Sequence, residues 1–207
     1  MYARTTTVRG DPRAVDDGIA YVRDTVWPTL QGMSGCVGMS MLADRDAGRC
    51  IVTAAWATDE AMRASAESVR ELRSSAAEVM RADAIDVAEW EIAALHRVHP
   101  AGDDACARVL WADVDPARAD DLIDTFRMTL QSRMEELPGF RSVSLLVDRG
   151  MGQATMAITY ESRDALVRSR QMGEAMREEF AAALGASVTE VAEFDLTVAH
   201  LRVPEMA

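Results

Sequence analysis

Asp11-Pro12-Arg13-Ala14-Val15-Asp16-Asp17 returns 104 positions later as Asp115-Pro116-Ala117-Arg118-Ala119-Asp120-Asp121. The same offset carries Asp44-Arg45 to Asp148-Arg149, Val87-Ala88-Glu89 to Val191-Ala192-Glu193 and His96 to His200, without a gap. Residues 2–98 and 106–202 are therefore two copies of one unit, and a repeat of this length sets the architecture before any chemistry is considered. The chain divides as repeat one over 1–98, a linker over 99–105 and repeat two over 106–207. His99-Pro100-Ala101-Gly102-Asp103-Asp104 supplies the turn residues of the linker.

Within each copy the quoted stretch opens a helix. Asp11 and Asp115 suit the N-cap, and the proline after each loses nothing by lacking an N–H in the first turn. The apolar stripe Val15, Ile19, Val22, Val26, Leu30 keeps helical period, as does Ala119, Ile123, Phe126, Leu130, Met134. Gly35 and Gly139 close these helices. Extended segments near 36–44 and 49–57 follow, joined by Asp44-Arg45-Asp46-Ala47-Gly48, with Asp148-Arg149-Gly150-Met151-Gly152 as the second copy's hairpin turn. Thr58 and Ser162 cap a second helix, with Met62, Ser65, Val69, Leu72, Ala76 and Met80 inward in the first copy. A last strand alternates Trp90, Ile92, Ala94, His96 against Glu89 and Glu91. With opening strands at 2–8 and 106–112, each half reads β-α-β-β-α-β.

That order is the ferredoxin-like split βαβ motif, two helices on one face of a four-stranded antiparallel sheet. The hairpin strands carry apolar side chains at both parities, so the second sheet face must be hidden as well. The expected fold is α+β: two tandem ferredoxin-like repeats whose sheets face each other in an intramolecular dimeric barrel. Further association of this pseudo-dimer into a homo-oligomer is left open.

Composition excludes several classes of function. A formal net charge of −12 opposes binding to nucleic acid or an anionic membrane, both of which need clustered positive charge. No stretch approaches the roughly 18 apolar residues of a membrane span, and Met1–Gly10 has no apolar leader segment, so a cytoplasmic protein is expected. Cys36, Cys50 and Cys106 are odd in number and lack metal-ligand spacing, so they read as core residues, with no metal site. All 22 basic residues are arginine; the chain has neither Lys nor Asn. Schiff-base catalysis is thereby excluded. Asp44-Arg45-Asp46 begins like a calcium loop, but Ala55 stands where the bidentate Glu is needed.

The corners Glu136-Leu137-Pro138-Gly139-Phe140, Trp56-Ala57-Thr58-Asp59-Glu60-Ala61-Met62 and Tyr160-Glu161-Ser162-Arg163-Asp164-Ala165-Leu166 resemble those of the antibiotic biosynthesis monooxygenase family of the dimeric α+β barrel superfamily, here as a tandem form. The resemblance implies a pocket between sheet and helices in each half. It also implies cofactor-independent oxygenation of a small aromatic or polyketide-like compound, without metal or flavin. The alternative is a non-catalytic protein of the same fold that binds a small apolar ligand or only retains the scaffold. Ser65 and Ser75, with Ser169 and Glu179, stand where haem-degrading relatives place a Trp and a ligating His, and with no Asn in the chain that constellation is absent.

His96 and His200 can act as general bases toward a phenolic proton, or be structural histidines satisfied by hydrogen bonds. Tyr160 joins them as a catalytic candidate. Trp56 and Tyr160 sit at the mouth of the second helix, where a ring can stack on a flat substrate or pack in the core. Trp27-Pro28, replaced by Gln131-Ser132 in the other copy, is expected to kink or break the first helix of repeat one near Trp27; the kink can open a cavity in that half alone, placing Trp27 among the substrate-binding candidates, or be harmless, which is the commoner outcome. Arg4 and Arg108 on the opening strands complete that set; each can bind an anionic group, or pair with a neighbouring carboxylate such as Glu89 or Glu193. Arg23 and Arg127 look solvated.

Overall fold

The computed structural model describes residues 1–201. Its strands are β1 (Tyr2–Arg9), β2 (Cys36–Asp44), β3 (Arg49–Trp56), β4 (Ala84–Arg97), β5 (Cys106–Asp113), β6 (Phe140–Asp148), β7 (Gln153–Tyr160) and β8 (Ser187–Leu201). Helices α1 (Val15–Tyr21), α2 (Trp27–Gln31), α3 (Asp59–Ala64) and α4 (Ala66–Val79) have counterparts α5 (Ala119–Thr125), α6 (Gln131–Met134), α7 (Arg163–Arg168) and α8 (Arg170–Leu184). The fold is α+β, and hydrogen-bonded neighbours run β1-β3-β2-β8-β5-β7-β6-β4 in a closed barrel.

Two units emerge, Met1–Trp90 with the strand end from Asp195, and Glu91–Phe194. In unit one β3 lies between β1 and β2, all antiparallel, with Tyr2 opposite Trp56 and Asp44 opposite Arg49. The end of β8 pairs with β2, Ala43 opposite Asp195. Unit two repeats this: β7 lies between β5 and β6, and the end of β4 pairs with β6, Glu91 opposite Val147. The last strands are longer than their alternating stretches, 14 and 15 residues, because each begins in one unit and ends in the other. Sequence pattern shows a strand's faces; it does not show which neighbour the strand joins.

The caps behave as the side chains dictate. Asp11 accepts from the Arg13 N–H and Asp115 from the Ala117 N–H, each opening a short 3-10 turn. Thr58 and Ser162 accept from Ala61 and Ala165. In the hairpin turns a glycine is required: Gly48 has φ +63°, and a Cβ there would lie 2.2 Å from the Gly10 carbonyl oxygen. Gly152 repeats this at φ +64°, 2.6 Å from the Val114 oxygen.

The expected break at Trp27-Pro28 does not occur. Val26 and Trp27 keep helical dihedrals, and Pro28 enters in the first turn of α2 after a π-helical turn, Val22–Val26. The proline is not the cause of that turn, since Phe126–Leu130 forms the same one ahead of Gln131-Ser132. Local widening of this kind removes the clash an interior proline makes with the preceding turn.

Each unit has its own core. Val15, Leu30, Met39, Met41, Trp56 and Met62 are essentially inaccessible in unit one, and Phe126, Val143, Tyr160, Ala165 and Leu166 in unit two. Burial of this kind stabilises by about 1.5–3 kcal/mol per large side chain.

Candidate functional site

The opening strand of each unit sends one arginine beneath the second helix pair. Arg108, 5% exposed, donates through Nε and Nη2 to Glu193 Oε1 at 3.3 and 3.0 Å, through Nη2 to the Leu166 carbonyl at 3.0 Å and through Nη1 to Ser169 Oγ at 3.2 Å. Arg4 makes the equivalent bonds to Glu89 (2.9 and 2.7 Å), the Met62 carbonyl (2.9 Å) and Ser65 (3.1 Å). The serines sit at the breaks between α3 and α4 and between α7 and α8, and donate back to the same carbonyls. Each guanidinium therefore ties a strand to a helix junction, and the carboxylates named from the sequence are its partners. The two serines were legible as inward positions; their role as acceptors was not, because it depends on the helix breaking there.

Burial pushes the Glu193 carboxyl up, but the hydrogen bonds from Arg170 and Arg108 outweigh it and hold the group below the usual carboxylate range. Tyr160 is fully buried, 3.5 Å from Arg108 Nη1. Burial raises its phenol above the ordinary value, so at neutral pH it is a hydrogen-bond donor and not a base. Trp56, at the equivalent position, is also fully buried, and its indole N–H has no hydrogen-bond partner among the described residues.

The histidines lie elsewhere. His96 Nε2 is 2.8 Å from Glu135 Oε1, and its ring stacks on Phe140 at 6.2 Å. His200 is exposed and stacks on Trp27, 4.6 Å between centroids and 10° between planes. That contact accounts for Trp27. Arg23 is exposed beside Asp24, whereas Arg127, read as solvated, reaches the Ala93 carbonyl at 2.7 Å.

Between sheet and helices each unit holds a partly open cavity. The larger, about 110 Å³, lies in unit two, lined by Leu110, Phe126, Leu145, Met156 and Phe180 among others, with Arg108, Thr155 and Arg177 the polar contributors. Unit one holds about 50 Å³. Every residue lining the smaller cavity has its counterpart, 104 positions on, lining the larger one. The difference follows from side-chain size: Gly173, Ala112 and Ala154 stand where Val69, Val8 and Cys50 narrow unit one, while Phe180 for Ala76 works in the opposite direction. Met80 also packs into the space of Gly18, where a Cβ would lie 2.6 Å from its Cγ. Of the sequence-derived candidates the structure brings together Arg108 and Tyr160, and places Arg4 and Arg108 on the cavities; His96, His200, Trp27, Trp56 and Tyr160 do not line either.

Among the described residues no cluster of three or more His, Cys, Asp or Glu could hold a metal ion, and no helix is long and apolar enough to cross a membrane. No family profile matches the chain. In fold it is similar to a "putative monooxygenase" from Lactobacillus acidophilus NCFM (12% identity, TM-score 0.70, covering 97% of this chain and 96% of that one). It is likewise similar to an "anthrone oxidase-like protein" (13%, TM-score 0.66, 97% and 91%) and to a ferredoxin-fold protein of Listeria monocytogenes 4b F2365 related to antibiotic biosynthesis monooxygenases (10%, TM-score 0.51, 99% and 95%). In sequence it is 47% identical over 207 residues to "Uncharacterized protein Rv2558" of Mycobacterium tuberculosis H37Rv, covering 100% of this chain and 87% of that one. Against "Uncharacterized protein Rv2557" of the same strain it is 44% identical over 206 residues, with 100% and 92% covered. The chain thus has the fold of the antibiotic biosynthesis monooxygenase-type α+β barrels and belongs to the family of the mycobacterial proteins Rv2558 and Rv2557.

Proposed function

We propose that the protein binds a small, neutral, apolar molecule, about one aromatic ring in size, in the cavity of unit two. One observation carries this: the cavity is enlarged by a glycine, Gly173, inside helix α8, where glycine costs roughly 1 kcal/mol against alanine and where the other copy has valine. An apolar cavity of about 150 Å³ accommodates benzene, so the 110 Å³ of unit two suits a single ring with slight side-chain adjustment. A fused tricyclic compound needs far more room. The test is titration of the full chain with benzene, indole and phenol, followed by NMR, beside native mass spectrometry of the purified protein. Binding that weakens at least tenfold in Gly173→Val and is unmoved by Val69→Ala supports the site; indifference to Gly173→Val removes it.

A second reading is cofactor-independent oxygenation of that ring compound. It is favoured by the Arg108 guanidinium at the cavity wall, held from behind by the Tyr160 hydroxyl that accepts from it, a donor suited to an oxyanion formed from a phenol or enol, and by the monooxygenase-type names of the fold relatives. Neither histidine candidate faces the cavity, so His96 and His200 have no part in this reading. Oxygen uptake with single-ring hydroquinones and with anthrones tests it, and turnover unchanged in Tyr160→Phe and Arg108→Met would remove the assignment.

A further inference from the structure

The two cavities differ in charge as well as in size. At the mouth of the unit-two cavity Arg177 pairs with Glu174, one turn back on α8, at 3.3 Å. In unit one the equivalents are Arg73 and Arg70, so a carboxylate has been exchanged for a second guanidinium. Arg73 lines the cavity and makes no hydrogen bond or ion pair among the described residues. Arg70 reaches only Glu67, at 3.9 Å, and Glu89, the carboxylate whose charge Arg73 feels, is engaged by Arg4. Burial, Arg4 and Arg70 all push Arg73 down from its ordinary pKa, with Glu89 alone opposing. In a chain of net charge −12, Arg4 and Arg73 both line this cavity, and Arg73 has Arg70 where its counterpart Arg177 has a pairing carboxylate.

We propose that unit one binds a small monocarboxylic acid, its carboxylate on Arg73 and its short alkyl or aryl tail among Val8, Val22, Val26 and Met41. The planar guanidinium fork matches a carboxylate in two parallel hydrogen bonds, and the tail gains from leaving water. With about 50 Å³ available, the tail is a few carbons or a ring edge seated by movement of Met80. This goes beyond the unit-two reading: the ligand class, the cavity and the deciding residues are all different.

The duplication supplies its own control. Isothermal titration of the full chain carrying Gly173→Val, which narrows the unit-two cavity, with hexanoate and benzoate, beside 1-hexanol, benzyl alcohol and inorganic phosphate, should show each acid binding at least tenfold tighter than its alcohol and tighter than phosphate. Arg73→Gln should abolish the preference for the acid; Arg177→Gln should leave it within twofold. Val69→Phe, which fills the cavity and spares the guanidiniums, should also remove acid binding. Equal affinity for acid and alcohol, phosphate binding as well as hexanoate, a preference that survives Arg73→Gln, or one lost in Arg177→Gln would each overturn the proposal. None of these outcomes bears on Gly173 and the neutral ring ligand, so the two readings fail separately.

Discussion

Replacing Glu193 by Gln keeps the size of the side chain and one oxygen acceptor but removes the charge facing a guanidinium that is only 5% exposed. The carboxylate serves Arg108 at 3.0 and 3.3 Å and Arg170 at 2.7 and 3.2 Å. Breaking a fully buried ion pair from one side costs about 3–5 kcal/mol. Glu193 retains 20% exposure, which lets water answer part of the loss, so about 2–3 kcal/mol is expected. The equivalent Glu89, with 45% exposure, should cost about 1 kcal/mol or less in Glu89→Gln, since exposed pairs contribute little. For a chain of this size a loss of 2–3 kcal/mol lowers Tm by roughly 5–10 °C. The pH dependence has a definite sign. The folded Glu193 carboxyl lies below its ordinary value of 4.5, so its stabilisation is complete well above that pH and fades as the pH falls through the folded value. Calorimetry of wild type, Glu193→Gln and Glu89→Gln at pH 7 and on stepwise acidification should show a large Glu193 gap that shrinks in acid. Equal Tm losses in the two variants, or a Glu193 gap indifferent to pH, would refute the reasoning.

Gly173→Val should leave Tm within about 1 kcal/mol of wild type in stability terms, because helix propensity improves while Arg108 Nη1, 3.0 Å from the new Cβ, must give way slightly. Gly48→Ala should cost at least about 2 kcal/mol by denaturant titration, combining a left-handed backbone penalty with contact against the Gly10 carbonyl. Burial pushes the Cys50 thiol up to about 12, so at pH 8 it should resist Ellman's reagent in the native protein and react only on unfolding; prompt native labelling at Cys50 would contradict its burial. His200→Ala should shift the fluorescence of Trp27 while costing under about 1 kcal/mol, since the stacked histidine is exposed.

Most of the fold was legible because it is written twice. The Asp-Pro starts, the hairpin turns and the Thr58 and Ser162 caps depend on local side-chain chemistry, and each formed where its residues stand. The helix break at Ser65 and Ser169 was not legible, since nothing in the helical period announces it. Nor was the crossing of β4 and β8 between units, because alternation along Trp90, Ile92, Ala94 and His96 is the same whichever neighbour the strand joins. Pro28 misled by its reputation: a π turn that also occurs without it had already made room. At the candidate site, Arg4–Glu89 and Arg108–Glu193 could be anticipated from paired positions on neighbouring strands. A pocket in each half was expected from the family resemblance; the unequal sizes could not be, because an empty space is set by residues far apart in the chain, such as Gly173 with Ala112, whose coincidence has no sequence signature.

When two identical subunits form a barrel, every substitution is made twice, and their two hollows stay alike. Joining the copies on one chain lifts that constraint. Val69 against Gly173 and Arg70 against Glu174 are changes that only a fused pair can hold singly, so one hollow is free to serve an acid while its sibling serves an oil.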